Sequence, residues 1–125
     1  GTKVRPGDAV IIYTGRWARR DELGPWSSGA AGLHASCATW LKERDIAVLG
    51  SDGGSDVSPS GVEGYGSPVH LMMLHVMGVP MLDNLELERL AKQADELDRY
   101  DFLLTLAPIP VKGGTGSPLN PIATF

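Results

Sequence analysis

The chain has little cysteine, no excess of positive charge and no long apolar run, and each shortage narrows what it can be. A single cysteine, Cys37, among 125 residues excludes an internal disulfide and suits a reducing compartment, so a cytoplasmic setting is expected. No stretch approaches the roughly 20 apolar residues of a membrane helix, and the opening residues do not read as a signal peptide. Eleven basic against fifteen acidic side chains leave a formal charge of -4, which argues against a nucleic-acid surface. Arg16, Arg19 and Arg20 form a local exception. An initiating methionine is also missing: either Gly1 is an added residue or the chain is a piece of a longer one.

What is present describes a folded domain. Apolar residues make up 42 % of the chain and charged ones 21 %, too apolar a balance for disorder, and the length suits one domain over residues 1–125. Sixteen glycines and nine prolines require many turns.

Strand and helix signals alternate. Residues 9–13 form an apolar run between the Pro6-Gly7-Asp8 turn and Thr14-Gly15, and predict a buried strand. Residues 15–27 carry charge, Trp17, Pro25 and Trp26, and predict an exposed loop. Ser28 is placed to cap a helix running to Glu43, with Leu33, Cys37, Trp40 and Leu41 on its apolar stripe. A strand over 46–49 follows, giving a strand–helix–strand unit whose default pairing is parallel. Residues 50–66 are nearly all turn formers, at the end of a strand where open α/β sheets place ligands. Ser67 and Pro68 open a helix that Gly78 ends. Residues 79–82 predict a short strand. Asn84 is placed to cap a helix whose face is Leu87, Leu90, Ala91, Ala94 and Leu97. Strands over 102–106 and 122–125 complete an α/β pattern.

His70 and Asp83 are the most informative pair. They stand where a helix–strand turn could bring an imidazole and a carboxylate to one point, which would make half of a metal site. A bound metal usually takes three or more protein ligands. A histidine on the apolar stripe with Met73, Leu74 and Met77 is also the pattern of a satisfied core residue, and Asp83 precedes a helix start where a carboxylate is welcome without a metal. Asp52 and Asp56, in SDGGSD, could bind a cation or a sugar-like ligand or simply stabilise turns, and the EF-hand spacing is absent. Residues 112–117 (KGGTGS) resemble a phosphate cradle without the GxxxxGK[ST] order. Ser28 is not in a GxSxG elbow, and Cys37 in an apolar stripe reads as packing.

Four segments in order, PGDAVIIYTG, WSSGAAGLHASCATWLKERDIAVLGSD, SPVHLMMLHVMGVPMLDNLELERLA and PIPVKGGTGSPLNPIATF, resemble the C-terminal half of the cyclase family, which includes kynurenine formamidase-like metal-dependent hydrolases. The resemblance implies a swivelling β/β/α-type domain with a mixed sheet and flanking helices. It implies metal-assisted hydrolysis of an amide or related carboxyl derivative, with zinc or manganese. It assigns His70 and Asp83 as metal ligands, aspartate standing where glutamate is usual, and matches Asp52 to the family's aspartate after the second strand. Residues 113–118, including Gly114 and Thr115, would shape the cavity, and Trp17 or Trp26 could wall a substrate. The family's HxGTHxDxPxH cluster has no counterpart here. A second polypeptide or a neighbouring subunit is therefore the expected source of the other ligands and the base, with a small-molecule substrate. The alternatives are a non-catalytic cyclase-like binding or structural protein with a relic metal site, and a different small α/β binding domain.

Overall fold

A computed structural model describes residues 2–25 and 29–125. The fold is mixed α/β, with parallel and antiparallel strands flanked by helices, as the alternating pattern predicts. Strand β1 (Ala9–Ile12) pairs in parallel with β2 (Val48–Ser51), and β2 pairs in parallel with the short β3 (Met81–Leu82). A separate antiparallel ribbon joins β4 (Leu103–Thr105) to β5 (Ile122–Thr124).

Leu41, Ile46, Leu49, Val69, Met73 and Val79 form the buried core. They come from helix α2 (Cys37–Glu43), the β2 region, and the helical segment that follows residue 67. That segment starts as α3 (Pro68–His70) and widens into a π-helix over Leu71–Met77. Gly78 ends it at φ 66, where the Cβ of another residue would crowd the backbone. Helix α4 (Glu88–Leu97) buries Ala94 from its expected face, Leu87 is buried just ahead of its first turn, and Leu97 is exposed.

Three expectations are corrected. Residues 16–23 are not a loop but helix α1 (Arg16–Leu23), entered through Gly15. The helix expected from Ser28 to Glu43 is confined to Cys37–Glu43. Ahead of it, Ala30 bridges Ser58 and Leu33 bridges Asp56, so local strand-like pairing replaces the first turns. Ser28 and Trp26 lie outside the described residues. Of the expected stripe Leu41 is buried, whereas Trp40 is exposed with Arg44 stacked on it at 3.8 Å. Finally, Ser67 and Asn84 make no capping bond. The amides of Glu88 and Arg89 go to the Glu86 carboxylate, at 3.0 and 3.4 Å.

Candidate functional site

Pro68 has no N–H, so the first orphan donors of its helix are the amides of Val69 and His70. Both go to Asp56, thirteen and fourteen residues back: Val69 N–H to Oδ1 at 2.6 Å and His70 N–H to Oδ2 at 3.2 Å. The same Oδ2 lies 2.5 Å from His70 Nδ1. One buried carboxylate therefore starts the helix and orients the imidazole it carries. On the other side of the ring, Nε2 lies 2.8 Å from Asp83 Oδ2, and Asp83 Oδ1 accepts the buried Ser55 hydroxyl at 2.9 Å.

The imidazole thus faces a carboxylate at each nitrogen. Burial pushes the His70 pKa down, but the bonds to Asp56 and Asp83 outweigh it and hold the ring above its ordinary value. With both nitrogens donating, the imidazolium is the form this geometry stabilises.

The two aspartates are held by backbone that is itself unusual. Ser55, before Asp56, sits at φ 58, and Asn84, after Asp83, at φ 59. Left-handed backbone at such residues costs of order 1 kcal/mol or more each, and persists only where the surroundings dictate it. Those surroundings are visible. Leu33 N–H donates to the Ser55 carbonyl at 2.7 Å, and the amides of Asn84 and Leu85 donate to the carbonyls of Gly53 and Ser51. At Gly32 a Cβ would lie 2.4 Å from the Asp56 carbonyl, so only glycine lets the two chains approach.

Helix α1 clamps the segment after Asp83. The buried Asp52 carboxylate accepts the Thr14 amide and hydroxyl at 2.9 and 2.7 Å and the Arg16 amide at 2.9 Å, which starts α1. Burial pushes the Asp52 pKa up, but the Thr14 hydroxyl and the amides of Arg16, Thr14 and Gly15 outweigh it and hold it below the usual carboxylate value. From α1, Arg16 donates to Asn84 Oδ1, and the Trp17 indole N–H donates to the Leu85 carbonyl at 2.7 Å.

Asp83 also fronts a groove of about 920 Å³, lined by Leu82, Leu87 and Leu90 on one side of the chain and by Leu104, Pro118 and Phe125 from the C-terminal segment. Of the pocket residues expected from sequence, Asp52 is fully buried and Trp17 is pinned to Leu85. Gly114 and Thr115 are exposed in a turn where the Gly114 amide bonds to the Val111 carbonyl. None of these four lines the groove, although Ser117 and Pro118 do. Asp56 and Ser55 are site residues that sequence reasoning missed as a pair with His70. The one signal was their place in the turn-rich segment at the end of β2.

His70 Nε2 and Asp83 Oδ2 lie 2.8 Å apart, in direct hydrogen-bond contact. The oxygens of Asp56 are engaged by two amides and Nδ1. Among the described residues no group of three or more His, Cys, Asp or Glu side chains is arranged to hold a metal.

A family model described as Putative cyclase matches residues 1–55. A crystal structure described as that of a novel cyclase matches with a TM-score of 0.87 and 30% sequence identity, over 99% of this chain and 42% of that one. The chain therefore spans less than half the length of that relative. No curated protein matches the chain significantly. Both positive comparisons show a likeness to the cyclase family. They overturn the restriction of the likeness to the family's C-terminal half. The family model falls on the first 55 residues of this chain, and the structural likeness runs through nearly all of it. No helix among the described residues is long and apolar enough to cross a membrane.

Proposed function

We propose that this chain is part of a cytoplasmic metal-dependent hydrolase acting on an amide or a related carboxyl derivative. His70 and Asp83 would be two of the ligands of a zinc or manganese ion, the remaining ligands and the general base coming from a second polypeptide or subunit. The observation that carries the reading is the His70 imidazole held between Asp56 and Asp83. A ligating histidine characteristically donates its other ring N–H to a carboxylate, which fixes the ring and raises its basicity. Asp56 at 2.5 Å from Nδ1 stands in that role.

The ion would supply Lewis-acid polarisation of a carbonyl and a nucleophile at neutral pH. This chain's residues would do the positioning. Asp56 keeps the Nδ1 proton, Asp83 is oriented through Oδ1 by Ser55, and the groove in front of Asp83 receives the apolar part of a small-molecule substrate. Isolation of the native assembly, followed by assay of amide hydrolysis with zinc or manganese, tests the reading. Metal-dependent turnover lost in His70→Asn supports it; turnover that survives His70→Asn refutes it.

The second reading is a cyclase-like binding or structural protein with a relic site. It is favoured by one observation: both nitrogens of His70 are already satisfied by carboxylates. On that reading zinc and manganese leave His70 unchanged even in the native assembly.

A further inference from the structure

Residues 98–125 contain no buried side chain, although they are rich in apolar ones. Their regular element, the β4–β5 ribbon, has two distinct faces. Phe102, Leu104, Ala123 and Phe125 are half-buried, and the last three line the groove in front of Asp83. Leu103, Thr105, Ile122 and Thr124 make the other face and are exposed, Leu103 by 68% and Ile122, at the rim of the groove, by 57%. Among the described residues β4 pairs with β5 alone, and a two-stranded ribbon by itself is marginal in water. A strand edge meant for water carries charge, proline or a bulge. Residues 102–106, FLLTL, carry neither charge nor proline.

The surface of the whole chain points the same way. A compact monomer of this length exposes about 6,500 Å². This chain exposes 8407 Å². The excess, about 1,900 Å², is more than twice the ~800 Å² that each partner buries in an ordinary interface, and suits a permanent association. The four residues outside the described set are too few to account for it.

The distribution of the exposed apolar side chains selects the occupant. Besides the ribbon they include Tyr13 after β1, Leu23 on α1, and Leu71 and Leu74 on the π-helix. A two-fold copy of this chain covers one self-complementary patch, whereas exposure on separate elements calls for a further stretch of polypeptide. The longer cyclase has such a stretch, since more than half of its chain lies outside the likeness.

We infer that β4 docks a further polypeptide, which adds an extended strand along residues 102–106 and lays apolar side chains on Leu103 and Ile122. Held from behind in this way, the ribbon presents Leu104 and Phe125 as a fixed wall of the groove. Docking needs no turnover; that the same polypeptide supplies the missing ligands and base rests on the hydrolase reading.

The test is hydrogen exchange, read by mass spectrometry, on the natively purified protein, on the chain expressed alone, and on native protein carrying Leu103→Asp. Leu103 is exposed, and circular dichroism checks that the variant is folded. Amides of residues 102–106 are expected to exchange at least tenfold more slowly in the native protein than in the chain alone, and Leu103→Asp to abolish that protection. Equal exchange in the two, protection that survives Leu103→Asp, or a native protein made only of copies of this chain would overturn the docking. Absence of amide hydrolysis in a protein whose β4 is protected would count against the hydrolase reading alone.

Discussion

His70 Nδ1 lies 2.5 Å from Asp56 Oδ2, in the carboxylate that also accepts the first two amides of the histidine's own helix. Helix start and ring orientation are therefore one interaction. Any change at Asp56 must disturb both.

Asp56→Asn keeps the shape but removes the charge that three donors share. A buried acceptor of charge-assisted bonds is worth about 2 kcal/mol. Urea denaturation is expected to show a loss of that order, and the His70 ring resonances to shift and broaden in the NMR spectrum. An unperturbed ring would show that Asp56 does not orient it.

The pH dependence of stability follows from the direction of the His70 shift. The folded value lies above the ordinary 6.5, so the contribution is fully present below about pH 6.5 and is lost as pH rises through the folded value. The stability difference between the wild type and His70→Asn should be greatest below pH 6.5 and shrink on the alkaline side. Asp52 has the opposite sign. Its folded value is depressed, so its contribution is present above its ordinary 3.8 and is lost as pH falls through the lower folded value. Thermal midpoints across the two windows check both directions.

Gly32→Ala places a Cβ against the Asp56 carbonyl, where neither backbone can yield without breaking the Leu33–Asp56 bridge. Overpacking of this kind costs about 1–3 kcal/mol. The expected signature is a lowered urea midpoint with hydrogen exchange accelerated at the Val69 and His70 amides. Unchanged exchange there would dissociate Gly32 from the site.

Trp17→Phe removes the indole donor to the Leu85 carbonyl while keeping most of the ring. The expected loss is about 1 kcal/mol. Exchange at the amides of Asn84 and Leu85 should rise, since α1 then holds that loop less firmly.

How much of this was legible follows from the range of each interaction. The strands β1, β2 and β3 come from short apolar runs bounded by turn residues, and α4 from its Leu87–Ala94 stripe; both signals are local. Helix α1 is amphipathic yet buries none of its residues, and is held from 36 and 68 positions away, by Asp52 at the Arg16 amide and by Leu85 at Trp17. No local pattern announces such support. The pairing of Leu33 with Asp56 dissolved the expected first turns of α2 for the same reason. His70 and Asp83 were readable as a pair because both flank the helix–strand turn. Asp56 was read as a turn former, since its partners are amides thirteen and fourteen residues on.

The most direct test of the central claim is a zinc titration of the native assembly, following the His70 imidazole nitrogens by NMR. The account expects the Nε2 resonance to move to the metal-bound range with Nδ1 still protonated toward Asp56, one proton released per ion near neutral pH, and affinity at least tenfold weaker in Asp83→Asn. Zinc that leaves both His70 nitrogens unshifted, or that binds equally well to Asp83→Asn, would contradict it.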